Sequence, residues 1–239
     1  MFAAMRPSPR AGLLLVVLSL VIPSSASADT TVPPGASVQT AVTNAGAGET
    51  ITIQGAHTED VTVDKQLTLV GVDNASLTGS LTSSAAGVVV KTLSIATTAG
   101  TPVSTSGSGG LTLANLLVQR TGGSAGTPLI AGGGSGGLTL TDVIGINTAG
   151  PALSLTSAET LVQRATLATT EAASDAVDLA AGAAKLTVDS SMLIGGGSAA
   201  GLKVTNTAPA TALAPPAAIT VALRHATVTG SKGIVLDAT

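Results

Sequence analysis

Five polar residues with side chains suited to chemistry each follow the first strand of a sequence repeat. They are Asn115, Asp142, Arg164, Ser190 and His225. Stacked repeats would place Asp142 beside Arg164, and Ser190 beside His225, one strand spacing apart. A histidine beside a serine is the pairing that activates a hydroxyl nucleophile. The candidate catalytic residues are therefore Asp142, Arg164 and His225, with Ser190 as the hydroxyl.

The same spacing also supports a non-catalytic interpretation. Asp142, the acid of this column, is expected beside Arg164, which is itself one rung from Ser190. From there Asp142 cannot orient His225 as a catalytic triad requires. Asp142 and Arg164 are more simply explained as an exposed ion pair, which stabilises a fold little. The sequence therefore leans against an enzyme and leaves the question open.

A second group of charged residues is a candidate metal site. Glu171, Asp175 and Asp178 lie within eight residues of one predicted bend, and calcium is bound by several oxygen ligands. Calcium is thus the one cofactor that the sequence suggests. The alternative is that these are solvated turn charges, and Asp178 is expected to pair with Lys203 on the next repeat.

Composition excludes several classes of protein. The chain has no cysteine, a net charge of −3, and one aromatic residue, Phe2. A mildly acidic chain has no basic patch for nucleic acid. Phe2 lies in the predicted signal peptide, so the mature chain would lack the usual aromatic platform on which sugars stack.

The first 28 residues have the three parts of a secretory signal peptide. Arg6 and Arg10 give the positive start, residues 12–22 the apolar run, and Ala26-Ser27-Ala28 the cleavage site. The apolar run is too short for a membrane span. We therefore expect residues 1–28 to be removed, residues 29–239 to form one domain, and the mature chain to be secreted or bound to the cell surface without a membrane span.

The remainder of the chain repeats. Short apolar segments, in which aliphatic residues alternate with threonine, recur in two columns that keep step. The first column begins at Ile51, Leu67, Val88, Leu111, Leu138, Leu161, Leu186 and Ile219, and the second is centred on Val61, Leu77, Val103, Leu129, Leu153, Val177, Leu202 and Ile234.

Short, glycine-bounded segments with a period of two are typical of strands. We therefore predict an all-β fold, a single-stranded right-handed parallel β-helix of about eight coils. Leu113, Leu140 and Val188 should stack inside, and the threonines of the strands should form a row outside. Ser37 is a suitable N-cap for a short helix that covers the first coil.

The segment that contains this helix carries four short motifs. They are Ser37-x-Gln39-x-Ala41-Val42, Gly48-Glu49-Thr50-Ile51, Gly55-x-x-x-Glu59 and Lys65-x-Leu67-Thr68-Leu69-x-Gly71. Their order resembles the entry segment of secreted β-helix repeat proteins of the pectin-lyase-like and pectinesterase-like superfamily.

The resemblance implies a parallel β-helix but little about activity, because that superfamily holds lyases, esterases and surface proteins. The family usually has an aromatic residue where this chain has His57. We interpret His57 and Glu59 as part of a polar turn that faces water. Asn74-Ala75-Ser76 also fits the sequence pattern for N-glycosylation.

Two features near the end of the sequence bear on partners. Residues 205–218 contain Pro209, Pro215 and Pro216, and should loop outward because proline cannot donate to a ladder. The sequence stops within a strand repeat, which favours a truncated domain whose last layer is covered by further sequence or by another chain.

Three functions follow as expectations. The first is a non-catalytic extracellular or cell-surface scaffold, such as an adhesin-like stalk, whose partner is extracellular polysaccharide or cell-surface material. The second is a polysaccharide lyase or esterase, implied by the resemblance alone. The third is an ice- or surface-binding threonine ladder, for which Thr139-Leu140-Thr141 offers one suitable row.

Overall fold

The computed structural model describes residues 29–107, 109–156, 159–180, 185–206 and 219–238. It is an all-β parallel solenoid of about 7 turns with one short helix, which confirms the predicted class and is close to the predicted number of coils. The predicted signal peptide and residues 207–218 of the proline-rich loop lie outside the described residues. No helix among those described is long and apolar enough to cross a bilayer.

The elements of the first half are β1 (Thr30–Val32), α1 (Val38–Asn44), β2 (Thr50–Thr58), β3 (Val61–Val63), β4 (Thr68–Thr78), β5 (Leu81–Ser83), β6 (Val88–Lys91), β7 (Ser94–Thr97), β8 (Val103–Thr105), β9 (Leu111–Arg120) and β10 (Ile130–Gly132). The second half contains β11 (Leu138–Asn147), β12 (Leu153–Leu155), β13 (Glu159–Gln163), β14 (Thr166–Thr169), β15 (Val177–Leu179), β16 (Lys185–Asp189), β17 (Met192–Ile194), β18 (Leu202–Asn206), β19 (Thr220–Arg224), β20 (Thr227–Thr229) and β21 (Ile234–Ala238).

Two parallel sheets form the walls of the solenoid. We call the 13-stranded sheet the bent sheet and the 8-stranded sheet the short-strand sheet. The bent sheet runs β1-β2-β4-β6-β9-β11-β13-β16-β19, with β7, β14, β17 and β20 along its second half. The short-strand sheet runs β3-β5-β8-β10-β12-β15-β18-β21. Each turn of the chain therefore adds strands to both sheets.

Aliphatic side chains stack in rows between the two sheets. In the bent sheet Leu113 pairs with Leu140, and Val162 links Leu140 to Val188; all four are fully buried. This is the stacking that the alternation predicted. Because one coil cannot cover its own inner face, the core is continuous only through contacts between neighbouring coils.

The predicted register was wrong at five positions. Ile51 pairs with Leu69 and not with Leu67, and Leu186 pairs with Val221 and not with Ile219. Thr160, and not Leu161, is in register with Leu138, so the threonine is buried and the leucine lies on the outer face. In the short-strand sheet Ile130, and not the predicted Leu129, is in register with Val103. Leu77 belongs to β4 of the bent sheet, where it pairs with Ile95.

The outer threonine row is correspondingly interrupted. Thr112 pairs with Thr139, but the next coil presents Leu161 to solvent before Thr187 restores the hydroxyl. The row on this face therefore reads threonine, threonine, leucine, threonine.

Helix α1 closes the first coil. The hydroxyl of Ser37 accepts a hydrogen bond from the Thr40 N–H, as expected of an N-cap. Val38 and Val42 are buried against the core. Strand β1, which the sequence did not indicate, pairs with β2 through Val32 and Ile53, so a partial layer also lies below the first full coil.

Candidate functional site

The predicted polar column exists, and it marks a bend in the backbone. Its members have positive φ angles of 48–54°, in the left-handed region. This conformation costs L-residues energy, although Asn and Asp tolerate it better than others. One such residue per coil turns the strand, so the bent sheet consists of two halves that meet at this column. The column is Asn115, Asp142, Arg164, Ser190 and His225, and Thr92 extends it by one coil.

Asp142 and Arg164 are joined across adjacent coils as predicted. Arg164 Nε and one terminal nitrogen each donate to a different Asp142 oxygen at 2.8 Å. The hydrogen bonds from Arg164 lower the pKa of Asp142, and the carboxylate raises the pKa of Arg164. Both side chains face solvent, so the pair holds two coils in register and has little desolvated charge with which to act on a substrate.

Ser190 and His225 line one shallow concavity of about 450 Å³, together with Arg164 and Met192. Sequence reasoning missed the acid that approaches them. Asp189, the last outward residue before the bend, has Oδ1 3.5 Å from His225 Nδ1. The Ser190 hydroxyl donates to the same oxygen at 3.2 Å.

The order of these contacts differs from that of a catalytic triad. In a triad the acid orients the histidine, and the histidine accepts the proton of the nucleophile. Here the serine hydroxyl is bonded to the acid itself, and His225 is highly exposed, with 84% of its side chain accessible. The site thus brings serine, histidine and aspartate together in an order that leaves the hydroxyl unactivated.

The three predicted calcium ligands are separated by their own contacts. Glu171 accepts from the Ser174 hydroxyl, and Asp175 accepts from the Ala200 N–H of the next coil. Asp178 lies on the outer face of β15, where burial raises its pKa and Lys203, in register on β18, opposes that rise. In the part of the chain that the structure describes, no three histidine, aspartate or glutamate side chains converge as a metal site would need.

His57 and Glu59 form a junction under the helix, and the expectation that both face water was wrong for His57. Its ring is 4% exposed. Nδ1 lies 2.9 Å from the Ala36 carbonyl oxygen and Nε2 lies 3.0 Å from that of Gln54. The imidazole therefore faces inward and ties the segment before α1 to β2.

Glu59 completes this junction from the next turn. Its carboxylate accepts hydrogen bonds from Val38 N–H, Gln39 N–H and the Ser37 hydroxyl. Burial acts to raise the pKa of Glu59, but these bonds and the nearby His57 outweigh it, so the pKa is lowered overall. A carboxylate at a helix N-terminus is stabilised by the orphan N–H groups, so the role of Glu59 is to hold the cap.

Arg120 is a buried cation that the sequence did not reveal as such. It is 1% exposed, and its guanidinium donates to the carbonyl oxygens of Thr127, Ser124 and Ala149. Asn147, in register with it on β11, donates to the Thr127 and Pro151 carbonyls. Both side chains thus replace missing backbone donors in the bends that follow β9 and β11.

Asn74 of the predicted glycosylation motif lies on the surface. It follows Asp73, and both have left-handed φ angles of 57° and 52°. Asn74 lies in β4, which carries extra residues at the bend relative to β2. These residues displace Asn74 outward and expose it.

The arrangement as a whole consists of polar side chains that hold coils together, with a polar concavity beside His225. Comparison with models of protein families, with curated proteins and with solved structures gave no significant match. The fold is therefore assigned from the strand pairing, and the function is argued from the geometry alone.

Proposed function

We propose that this chain is a secreted or cell-surface β-helix scaffold, adhesin-like and non-catalytic, that adheres to extracellular polysaccharide. The observation that carries the proposal is the use of its charged side chains. Four of the charged groups bond to a partner 20–26 residues away, which is one coil. Charged side chains that bond to a neighbouring coil stabilise the solenoid and are not directed at a ligand. The pairs are Asp60 with Ser80, Asp142 with Arg164, Glu159 with Lys185, and Asp175 with the Ala200 N–H.

A row of hydroxyl groups supports adhesion to a hydroxyl-rich polymer. The outward residues of the first short strands are Thr62, Thr82 and Ser104, in register with one another. Thr82 Oγ1 and Ser104 Oγ lie 3.1 Å apart and share a hydrogen bond. Hydroxyl groups both donate and accept hydrogen bonds, so a row at strand spacing suits a neutral polymer that presents hydroxyls of its own.

Polysaccharide binding is tested by co-sedimentation of residues 29–239 with insoluble cell-wall polysaccharide. We expect depletion of the protein from solution, and reduced depletion for Ser104→Lys, which places a charge in the hydroxyl row. Thr112→Lys, on the outer face of the bent sheet, is the matched control and should bind as the wild type does. Equal binding by all three proteins would refute this surface.

A polysaccharide lyase or esterase of the pectin-lyase-like kind is the second candidate. It is supported by the concavity that brings Ser190, His225 and Asp189 together. Release of unsaturated products or of methanol from pectin by the wild-type chain, lost in both His225→Ala and Ser190→Ala, would establish the enzyme and overturn the scaffold.

Export is tested separately. Expression of the full sequence should yield a mature protein that begins at Asp29, outside the cytoplasm, as measured by intact mass of the exported fraction. Retention of residues 1–28 on a cytoplasmic protein would remove the extracellular part of the proposal.

A further inference from the structure

The outer surface of the bent sheet carries an apolar face on its second half. Ile144 is 49% exposed and Met192 is 42% exposed. Ile146 and Ile194 project from the same two strands, one outward position further on. Exposed aliphatic side chains that are grouped on one face, and not scattered singly, are a feature of interaction surfaces.

Between and beside these two rows lie rows of small side chains. Thr166 and Ala168 of β14 are in register with Ile144 and Ile146 on one side and with Met192 and Ile194 on the other. Thr227 and Thr229 of β20 follow Met192 and Ile194. We define the apolar face as the outward residues of β11, β14, β17 and β20. Strands β11 and β17 present large side chains (high rows), and β14 and β20 present small ones (low rows), so high and low rows alternate at the strand spacing.

This relief is complementary to itself. Consider a two-fold axis parallel to the strands, placed over the gap between β14 and β17. It sets β17 of one copy opposite β14 of the other, and β11 opposite β20. Each high row then meets a low row, which is how side chains of packed sheets interdigitate. The contact is isologous, so it closes as a dimer and does not propagate.

The absence of charge on the face is compatible with a second copy as the partner. None of its eight outward residues is ionisable, so a second copy brings no like charge against the first. The charged residues Asp142 and Arg164 lie at the bend beside the face, where they form a polar rim. An apolar centre with a polar rim is the usual anatomy of a protein interface.

The small size of the face limits the strength of the association. Four strands about 4.8 Å apart, each contributing about three residues of 3.3 Å, project roughly 200 Å² per copy. Specific stable complexes bury about 1,200 Å² or more in total. We infer that the apolar face is a weak self-association surface, on which two copies pack β17 against β14, and that the dimer forms when copies are held at high local concentration.

Sedimentation velocity over about 10 µM to 1 mM, the range in which a weak dimer becomes populated, tests the self-association. The weight-average mass of residues 29–239 should rise toward twice the monomer mass. Ile144→Lys should remain monomeric throughout because a lysine would be buried without a partner. Leu161→Lys, an outward apolar position on the other half of the same sheet, is the control and should associate as the wild type does.

Single cysteines test the geometry, because the chain has none of its own. A mixture of Thr166→Cys and Met192→Cys chains should form disulfide-linked dimers faster than either variant alone. Equal rates for the mixture and the separate variants would refute the two-fold.

Two outcomes of sedimentation also refute the proposal. One is a wild-type chain that stays monomeric at 1 mM, whether or not it adsorbs to apolar beads or lipid vesicles through Ile144. The other is loss of association in Leu161→Lys to the same degree as in Ile144→Lys.

Discussion

The Glu59 carboxylate lies 2.6 Å from the Val38 backbone nitrogen, so a side chain of the first coil caps the helix that covers that coil. The helix has seven residues, too few to be stable without such contacts. The cap and the coil are therefore one cooperative unit, and the Glu59 carboxylate accepts three of the hydrogen bonds that join them.

Replacement of that carboxylate should loosen the helix. We expect Glu59→Gln to cost about 1–2 kcal/mol, since a neutral amide accepts the same N–H groups less strongly. Hydrogen exchange of amides 38–44 should become faster at neutral pH. Asp60→Asn is the matched control: Asp60 bonds to Ser80 and not to the helix, so amide protection of α1 should be unchanged.

The same carboxylate gives the cap a pH dependence. The pKa of Glu59 is lowered on folding from its ordinary value of 4.5. The carboxylate therefore contributes its full stabilisation above pH 4.5, and this is lost as the pH falls through the lowered value. Exchange of amides 38–44, corrected for intrinsic rates, should lose protection below pH 4.5 in the wild type. A wild-type profile as flat as that of Glu59→Gln would contradict the assignment.

Thr160 offers a stabilising substitution. Its side chain is buried between Leu138 and Leu186, and among the described residues its hydroxyl finds no hydrogen-bond partner. Thr160→Val keeps the shape and removes the orphan hydroxyl, so we expect a gain of about 1 kcal/mol in the free energy of unfolding. Urea denaturation measures it, with Thr139→Val on the outer face as the control within about 0.5 kcal/mol. If Leu161 faced the core instead, Thr160→Val would give no gain.

Arg120 should be needed for the bend that follows β9. Arg120→Met keeps an apolar stem but removes the donors to three carbonyl oxygens. We expect a loss of about 2 kcal/mol, with faster exchange at residues 121–129. Gln119→Met, on the outer face of the same strand, should leave both unchanged. If Arg120→Met left the free energy of unfolding unchanged, water would be shown to replace the guanidinium there.

The bend column contains one poorly suited residue. Thr92 has a φ of 55°, and β-branched residues are strained in the left-handed region. Thr92→Asn should therefore stabilise the chain by about 0.5–1 kcal/mol, in line with the cost of left-handed strain. Asn115→Thr, at the same place one coil on, should destabilise it by a similar amount. Thermal unfolding of the two variants in opposite directions would verify the column.

Most of the fold could be read from the alternation of aliphatic residues with threonine, and the error at Leu161 has a physical cause. Leu161 and Val162 are both apolar, so a period of two does not say which faces inward. The bend residues resolve it, because the inner residue lies two positions before each of them, as Leu140 does before Asp142 and Val162 before Arg164. That signal was present in the sequence.

The candidate site was less predictable. The column that holds Ser190 and His225 followed from the repeat length, whereas the approach of Asp189 to His225 depends on side-chain orientation at a bend. His57 and Arg120 bond to backbone carbonyl oxygens of other segments, and such acceptors leave no mark in the sequence. The outer aliphatic residues of β11 and β17 were visible, but their alignment required the register of β14.

Adjacent coils hold their register although the chain between them differs in length. Asp142 and Arg164 are 22 residues apart, whereas Arg120 and Thr148, also bonded across one coil, are 28 apart. The excess is accommodated outside the strands, so the pitch of the rod is independent of the number of residues per turn. Such an architecture can gain or lose a whole turn by duplication or deletion, and the strand pairing of the neighbouring coils is preserved.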